Sequence, residues 1–193
     1  DTNTLEQTLP IWTMQLANVG AKIISWRIKF LEKLKVYAKN SHAYLTSSQE
    51  NLELEYQGIV GESEQEIESK LLKEYELSKP KDIKLGYTTV GPHRDDIAML
   101  VDGVDIRTFG SQGQHRTVAL SLKLAELEIF KDECGEYPIL LLDDVLSELD
   151  KDRQSRLLEK TREIQTILTT TNVNEYLLDN ATIIRVEDGK VIR

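Results

Sequence analysis

The sequence predicts an α/β fold with a helical arm in front of it. Three observations carry that prediction. Residues 9–46 hold apolar side chains at heptad spacing, the pattern of a long helix lying along another helix. Residues 139–142 are apolar without a break, as in strands buried on both faces of a parallel sheet. Around that run, apolar-periodic helices alternate with short strands, which implies crossover connections.

Bulk properties narrow the class. A chain of 193 residues suits one ordinary domain or two small ones. With 40% hydrophobic and 30% charged residues it can build a core, so a wholly disordered chain is excluded. The net charge of -9 argues against a surface coated for nucleic acid and leaves room for a local basic patch. A single cysteine, Cys134, excludes an internal disulfide and a cysteine-based zinc site, and it fits a reducing, cytoplasmic compartment. No apolar run approaches the ~20 residues that span a bilayer, and no cationic-then-apolar leader opens the chain. The chain starts with Asp1 rather than Met, on the approach to a helix, and reads as a piece of something longer.

In the first segment, Leu9, Leu16, Ile23, Phe30, Tyr37 and Tyr44 recur every seven residues. Trp12, Val19 and Trp26 fill the companion position, and Lys33 breaks that second series. This stripe is the expected packing face of the first helix. Pro10 suits its first turn, where a missing N–H costs nothing. Gly20 weakens it by about 1 kcal/mol relative to alanine. Alternation of Leu52, Leu54 and Tyr56 with polar residues predicts a strand over 51–57. Ile67, Leu71, Leu72 and Tyr75 predict an amphipathic helix over 62–78, ended by Lys79-Pro80. Residues 1–80 thus form the arm or second lobe, and 81–193 the α/β part.

In the second part, 83–90 is a candidate strand and 91–96 a loop. Strands at 97–101 and 104–106 flank Asp102-Gly103, the strongest hairpin signal in the chain. Ser111 and Gln114 match a capping box and open a helix running to about 131. Its buried face carries Val118, Leu122, Ala125 and Ile129 beside Leu120, Leu124 and Leu127. The apolar strand at 139–142 follows, then a helix over 151–160 capped by Asp150. A strand at 164–168, a helical turn at 173–178, and a pair at 183–186 and 190–192 around Asp188-Gly189 complete the chain.

Two stretches carry chemistry. In "PILLLDDVLSELD" (138–150) a strand ends at Asp143 and delivers its carboxylate to the carboxyl edge of the sheet, where open α/β sheets bind ligands. Magnesium takes one or two carboxylates, several waters and substrate phosphates, a shell that Asp143 can hold. Asp144, next along, can orient an attacking water. The plainer reading is a buried strand followed by a polar turn and a capped helix. In "FGSQGQHR" (109–116), Ser111, Gly113 and Gln114 open a helix whose unpaired N–H groups and dipole favour an anion, with Arg116 close by. An ordinary capped helix is the plainer reading there too.

Together the two stretches stand in the order of the signature, Walker B and D-loop motifs of ABC-type ATPases. With "GPHRDD" (91–96), "LVDGVDIRTFGSQGQHRTVALSLKLAE" (100–126), "PILLLDDVLSELD" and "TTT" (169–171), the chain resembles the RecF family of bacterial DNA repair proteins. The resemblance covers residues 91–171. It implies a partial ABC-type ATPase head, a P-loop NTPase fold lacking its Walker A half, with a helical arm. None of the ten glycines fits G-x-x-x-x-G-K-[ST]; the one Gly-Lys pair, Gly189-Lys190, is followed by valine. Residue by residue, the resemblance makes Asp143 the aspartate that holds magnesium through water and Asp144 the catalytic acid. Ser111, Gly113 and Gln114 become the signature that meets ATP bound by the opposite subunit. Asp150 becomes the D-loop acid at that interface, and Thr171 stands at the switch position. The implied whole protein is a slow, DNA-stimulated ATPase that forms an ATP-dependent homodimer on duplex DNA and single-strand gap junctions. It works with RecR and RecO to load RecA. This chain alone, without a phosphate loop, is expected to be inactive.

Other features have simpler readings. "HRDD" lacks the asparagine of a kinase catalytic loop, since position 100 is leucine. His93, Asp95 and Asp96 fit a polar loop better than a metal cluster. His42 and His115 are expected at the surface. Between Lys22 and Lys39 six cations face one acid, Glu32, which marks Lys22, Arg27, Lys29 and Lys33 as candidate DNA contacts against the reading of a solvated helix face. Two alternatives stand beside the ATPase: a non-enzymatic protein-interaction module with idle acids, and a fragment of another SMC-like ATPase.

Overall fold

The computed structural model describes residues 2–171 and 181–192, with side chains from residue 8 onward. Helix α1 (Thr2–Thr46) runs past everything else. Strand β1 (Leu52–Gln57) and helix α2 (Glu64–Leu85) follow. Next come β2 (Asp96–Val101), β3 (Val104–Asp105), the single turn α3 (Ile106–Phe109) and the long α4 (Gln112–Cys134). Strand β4 (Leu140–Asp143), a 3₁₀ turn (Val145–Glu148), α5 (Lys151–Lys160) and β5 (Thr166–Thr169) form a crossover unit. Strands β6 (Arg185–Glu187) and β7 (Lys190–Ile192) close the described chain.

The strands make three separate sheets among the described residues. β1, β2 and β3 form an antiparallel sheet in that order, with Leu52 opposite Val101 and Tyr56 opposite Ile97. β4 and β5 are parallel, with Asp143 opposite Thr169. β6 and β7 form an antiparallel hairpin. The expected crossover architecture is therefore realised once, in β4–α5–β5. The strands before α4 pair antiparallel instead, because Asp102 and Gly103 both adopt positive φ (50° and 79°) and fold β2 back onto β3. Asp188 and Gly189 do the same for β6 and β7.

Helix α1 is the spine, and three apolar clusters line it. Ala17, Ala21 and Ile24 pack on Ile67, Leu71 and Tyr75 of α2. Leu31, Leu34 and Ala38 pack on β1, β2 and α4. Leu45 joins α4, β4 and α5 through Leu124, Leu142 and Leu157. The division at residue 80 runs through shared structure: β1 from the first segment pairs with β2 from the second. Gly20 has a packing role, since a Cβ there would sit 3.1 Å from Leu71 Cδ1.

Several expectations are corrected. Between residues 12 and 30 the heptad stripe on α1 faces no helix among the described residues: Trp12, Val19 and Trp26 are 64%, 54% and 75% exposed, and Leu16, Ile23 and Phe30 are exposed too, whereas Tyr37 and Tyr44 further along donate to Asp132 of α4 and Glu159 of α5. The buried face is the adjacent one, and its small residues let neighbours approach closely. Pro10 lies inside α1 rather than in its first turn. Pro80 lies inside α2, which ends instead at Gly86 in the left-handed region (φ 76°). One proline removes one intrahelical hydrogen bond, and Asp82 secures the helix beyond it by accepting from Ser78 Oγ, Thr89 N and Thr89 Oγ1. Residues 83–85 are thus helical, and 86–90 form no strand. His42 is fully buried, not at the surface. The helical turn expected at 173–178 lies outside the described residues. Among the described residues no helix is long and apolar enough to cross a membrane.

Candidate functional site

The acids at the end of β4 are held by a hydroxyl from the neighbouring strand. Parallel register puts Thr169 beside Asp143. Thr169 Oγ1 donates to Asp143 Oδ1 at 2.6 Å and accepts from the Asp144 backbone N–H at 3.0 Å. One side chain therefore orients the first carboxylate and the backbone of the second. Both acids are exposed at the carboxyl edge of the sheet. Asp144 adopts the left-handed region, φ 49° and ψ 22°, which turns the chain sharply into the 3₁₀ turn. Its carbonyl accepts from Ser147 Oγ at 2.8 Å. Asp150 then caps α5, its carboxylate accepting from Arg153 N and Arg153 Nη1. The backbone hydrogen bond from Arg153 holds the Asp150 carboxyl below the usual range, with the guanidinium adding to it.

At the start of α4 both halves of the capping box are made. Gln114 N donates to Ser111 Oγ at 3.2 Å, and Ser111 N donates to Gln114 Oε1 at 3.0 Å. The Ser111 hydroxyl is thereby an acceptor here. Gly113 is exposed, and a Cβ on it would meet only Ser111 Oγ, at 4.0 Å. No packing demand accounts for the glycine; its effect is an open surface at a helix N-terminus, where a bulky ligand can come close. Arg116, one turn on, reaches Glu148 in the turn after β4 at 3.4 Å, so a side-chain bridge joins the two motif regions.

The structure separates the remaining candidates. Thr171 is exposed beyond the end of β5, and the threonine that touches the acids is Thr169. In the α1 stretch, Lys22 and Lys29 are exposed, whereas Arg27 donates to the Pro92 carbonyl and Lys33 pairs with Glu133 at 2.7 Å. "GPHRDD" serves as a junction. Tyr56 donates to Asp95, Arg107 pairs with Asp96, and His93 Nε2 lies 2.9 Å from the Thr88 carbonyl. Burial, with the Asp95 bond, pushes the Tyr56 hydroxyl up to about 12. His93, Asp95 and Asp96 thus face different partners, and among the described residues no group of three His, Cys, Asp or Glu converges on a metal position. A carboxylate whose metal shell is completed by water and phosphate, as magnesium's is, needs no such cluster. One residue that sequence reasoning passed over, Glu50, also touches the site. Gln114 Nε2 donates to Glu50 Oε1 at 3.0 Å, and Glu50 lies against the buried His42. The acid sits in the turn after α1 with no motif around it, so spacing offered no signal.

No family model matches the chain. Comparison with curated proteins finds the DNA replication and repair protein RecF of Halothermothrix orenii, 43% identical over all of this chain and 53% of the relative. RecF of Clostridium tetani is 44% identical over 94% of this chain and 51% of its own length. Among solved structures, the recombination mediator protein RecF-ATP of the RecFOR pathway superposes with a TM-score of 0.82 at 40% identity, covering 97% of this chain and 52% of that one. A second, RecF-ATPrS, gives a TM-score of 0.81. The chain spans about half the length of the curated relatives it matches.

Proposed function

This chain belongs to the RecF family and has the fold of part of its ABC-type ATPase, and from that premise we propose that it supplies three parts of an ATP-driven DNA repair switch. Those parts are the signature, the magnesium-holding acid with its catalytic neighbour, and the D-loop. One observation carries the reading most directly: Thr169 ties Asp143 and Asp144 together at the open end of a parallel strand pair.

In the proposed chemistry, Asp143 holds magnesium through water, and Asp144 orients the water that attacks the γ-phosphate in line. Magnesium, if held by Asp143, would supply Lewis-acid chemistry that neutralises developing charge. Ser111 retains its hydroxyl proton for a phosphate oxygen, and Gly113 leaves its backbone open to the same group. Gln114 shapes the turn, since both ends of its carboxamide are engaged within the chain. ATP is bound mainly by the part of a RecF protein that this chain lacks, and the signature meets it across an ATP-dependent homodimer. Asp150 orders the D-loop at that interface, and Thr171 reports on the γ-phosphate. Lys22 and Lys29 are the more available of the four candidate DNA contacts, with Arg27 and Lys33 already paired within the chain. The biological role is then DNA binding at duplexes and single-strand gap junctions, with RecR and RecO, toward RecA loading in the cytoplasm.

The test is magnesium-dependent ATP hydrolysis, with and without gapped DNA, by a whole RecF-type protein assembled around this chain. The same protein carrying Asp144→Asn is the control. DNA-stimulated hydrolysis that Asp144→Asn abolishes is the expected result. Absence of hydrolysis in a folded wild-type assembly would sink the enzyme reading and leave a partner-binding module.

A further inference from the structure

The signature turn is braced from behind by a half-buried acid, Glu50, that lies against a buried histidine. Gln114 closes the capping box with its Oε1 and donates from Nε2 to Glu50 Oε1 at 3.0 Å. Glu50 Oε2 lies 3.3 Å from Nε2 of His42, whose ring is fully buried at the end of α1. On the other side of the ring, His42 Nδ1 lies 3.1 Å from Ser121 Oγ. Ser121 is itself buried, and its hydroxyl donates to the Thr117 carbonyl at 2.7 Å. A serine has one proton to give, so with that proton on Thr117 its oxygen accepts from His42 Nδ1–H. The path therefore starts on α4 at residue 114, crosses the turn after α1, enters α1, and returns to α4 two turns further along.

A stability role alone explains this arrangement poorly. A buried histidine beside a carboxylate is costly to desolvate, and apolar replacements commonly stabilise such sites. Neither His42 Nε2 nor Glu50 Oε2 makes a well-formed hydrogen bond, so the pair sits under-satisfied behind the signature. Groups kept at such cost are candidates for orienting something else. Glu50 touches Gln114, one of the two side chains that close the signature turn.

We infer that Glu50 is a positioning residue for the signature: it holds the Gln114 carboxamide, and through it the Ser111–Gly113 turn, in the geometry that receives nucleotide. The inference rests on the ATPase reading for its functional half, while the structural half stands on this chain alone. Glu50 lies in the turn that follows the 45-residue α1, so this contact joins that end of the helix to the signature.

The experiment has two readouts. In this 193-residue chain, the Gln114 side-chain amide is followed by NMR in wild type, Glu50→Leu, Glu50→Gln and His42→Gln. Glu50→Leu removes the acceptor and is expected to shift the Gln114 amide signals and end their protection from exchange. Glu50→Gln keeps an acceptor oxygen and is expected to hold them near wild type, which guards against a variant that merely fails to fold. In the assembled RecF-type protein, Glu50→Leu is expected to lower kcat for ATP at least tenfold with KM changed less than twofold, and Glu50→Gln to recover most of the rate. Unmoved Gln114 signals in folded Glu50→Leu overturn the positioning role. Moved signals with an unchanged kcat overturn its link to turnover. An inactive wild-type assembly condemns the ATPase reading instead, and the amide signals still decide whether Glu50 positions Gln114.

Discussion

Helices α1 and α4 are both long, and both carry apolar residues at helical spacing, yet only one of them buries the face its sequence advertises. On α4, Val118, Leu120, Leu124, Ala125, Leu127 and Ile129 are all buried, as their period predicts. On α1, the large residues Trp12, Val19, Trp26 and Phe30 stand out in solvent, while Ala17, Ala21, Ile24 and Ala38 are buried. The difference lies in how each helix meets its neighbours. α4 packs along the later part of α1 through large side chains on both helices, Leu31, Leu34 and Leu45 meeting Val118, Leu124 and Ile129. α1 approaches α2 closely, through Gly20 and two alanines, so the face with the least bulk is the one that packs. Periodicity identifies apolar faces, and size decides which of two faces a close neighbour will take.

Substitutions can break or sharpen this contrast. The largest effect belongs to Ile24→Ala on the packed face, expected to destabilise by about 3 kcal/mol in denaturant unfolding. Gly20→Val comes next, at about 2 kcal/mol, because the added atoms meet Leu71 at an already tight contact. Ser111→Ala, at the start of α4, is expected to cost about 1 kcal/mol through loss of the cap. A smaller effect is read from pH. Burial lowers the His42 pKa, with Glu50 opposing that shift and the charges of Arg153 and Asp102 acting in opposite senses. A buried base with a lowered pKa makes the unfolded chain the better proton acceptor. Its contribution is therefore fully present above the unfolded histidine value and lost as pH falls toward the lowered one. Stability should decline as pH falls through the unfolded histidine value of about 6.5, and His42→Gln should flatten that slope. Trp26→Ala, on the outer stripe, is expected to change stability by less than about 0.5 kcal/mol, despite removing the larger side chain. Equal losses for Ile24→Ala and Trp26→Ala would mean that the outer face is packed after all.

Legibility followed the range of the interactions. The Ser111–Gln114 capping box, the Asp150 cap and the two Asp-Gly hairpins each close within a few residues, and each forms as its local chemistry dictates. The placement of Asp143 at a strand end was legible for the same reason, since an unbroken apolar run followed by acids specifies its own boundary. Long-range arrangements were not legible. His42 is buried because Ser121, 79 residues away, and Glu50 meet it there, and nothing near residue 42 announces either. Pro80 reads as a stop because a helix loses one bond there, but Asp82 and Gly86 set the end further on. The choice among three adjacent threonines was equally invisible. It depends on the register of β5 against β4, which aligns Thr169 with Asp143.

The left-handed backbone of Asp144 has a consequence for which acid can stand there. Residues with a β-carbon resist this conformation at a cost on the order of 1 kcal/mol, and aspartate and asparagine escape part of it through their short polar side chains. A glutamate, with its longer side chain, has no such local relief. The corner after β4 thus filters the acid by shape before chemistry selects it by charge. Asparagine passes the same filter, so Asp144→Asn alters the proton inventory of the site and leaves the turn beneath it in place.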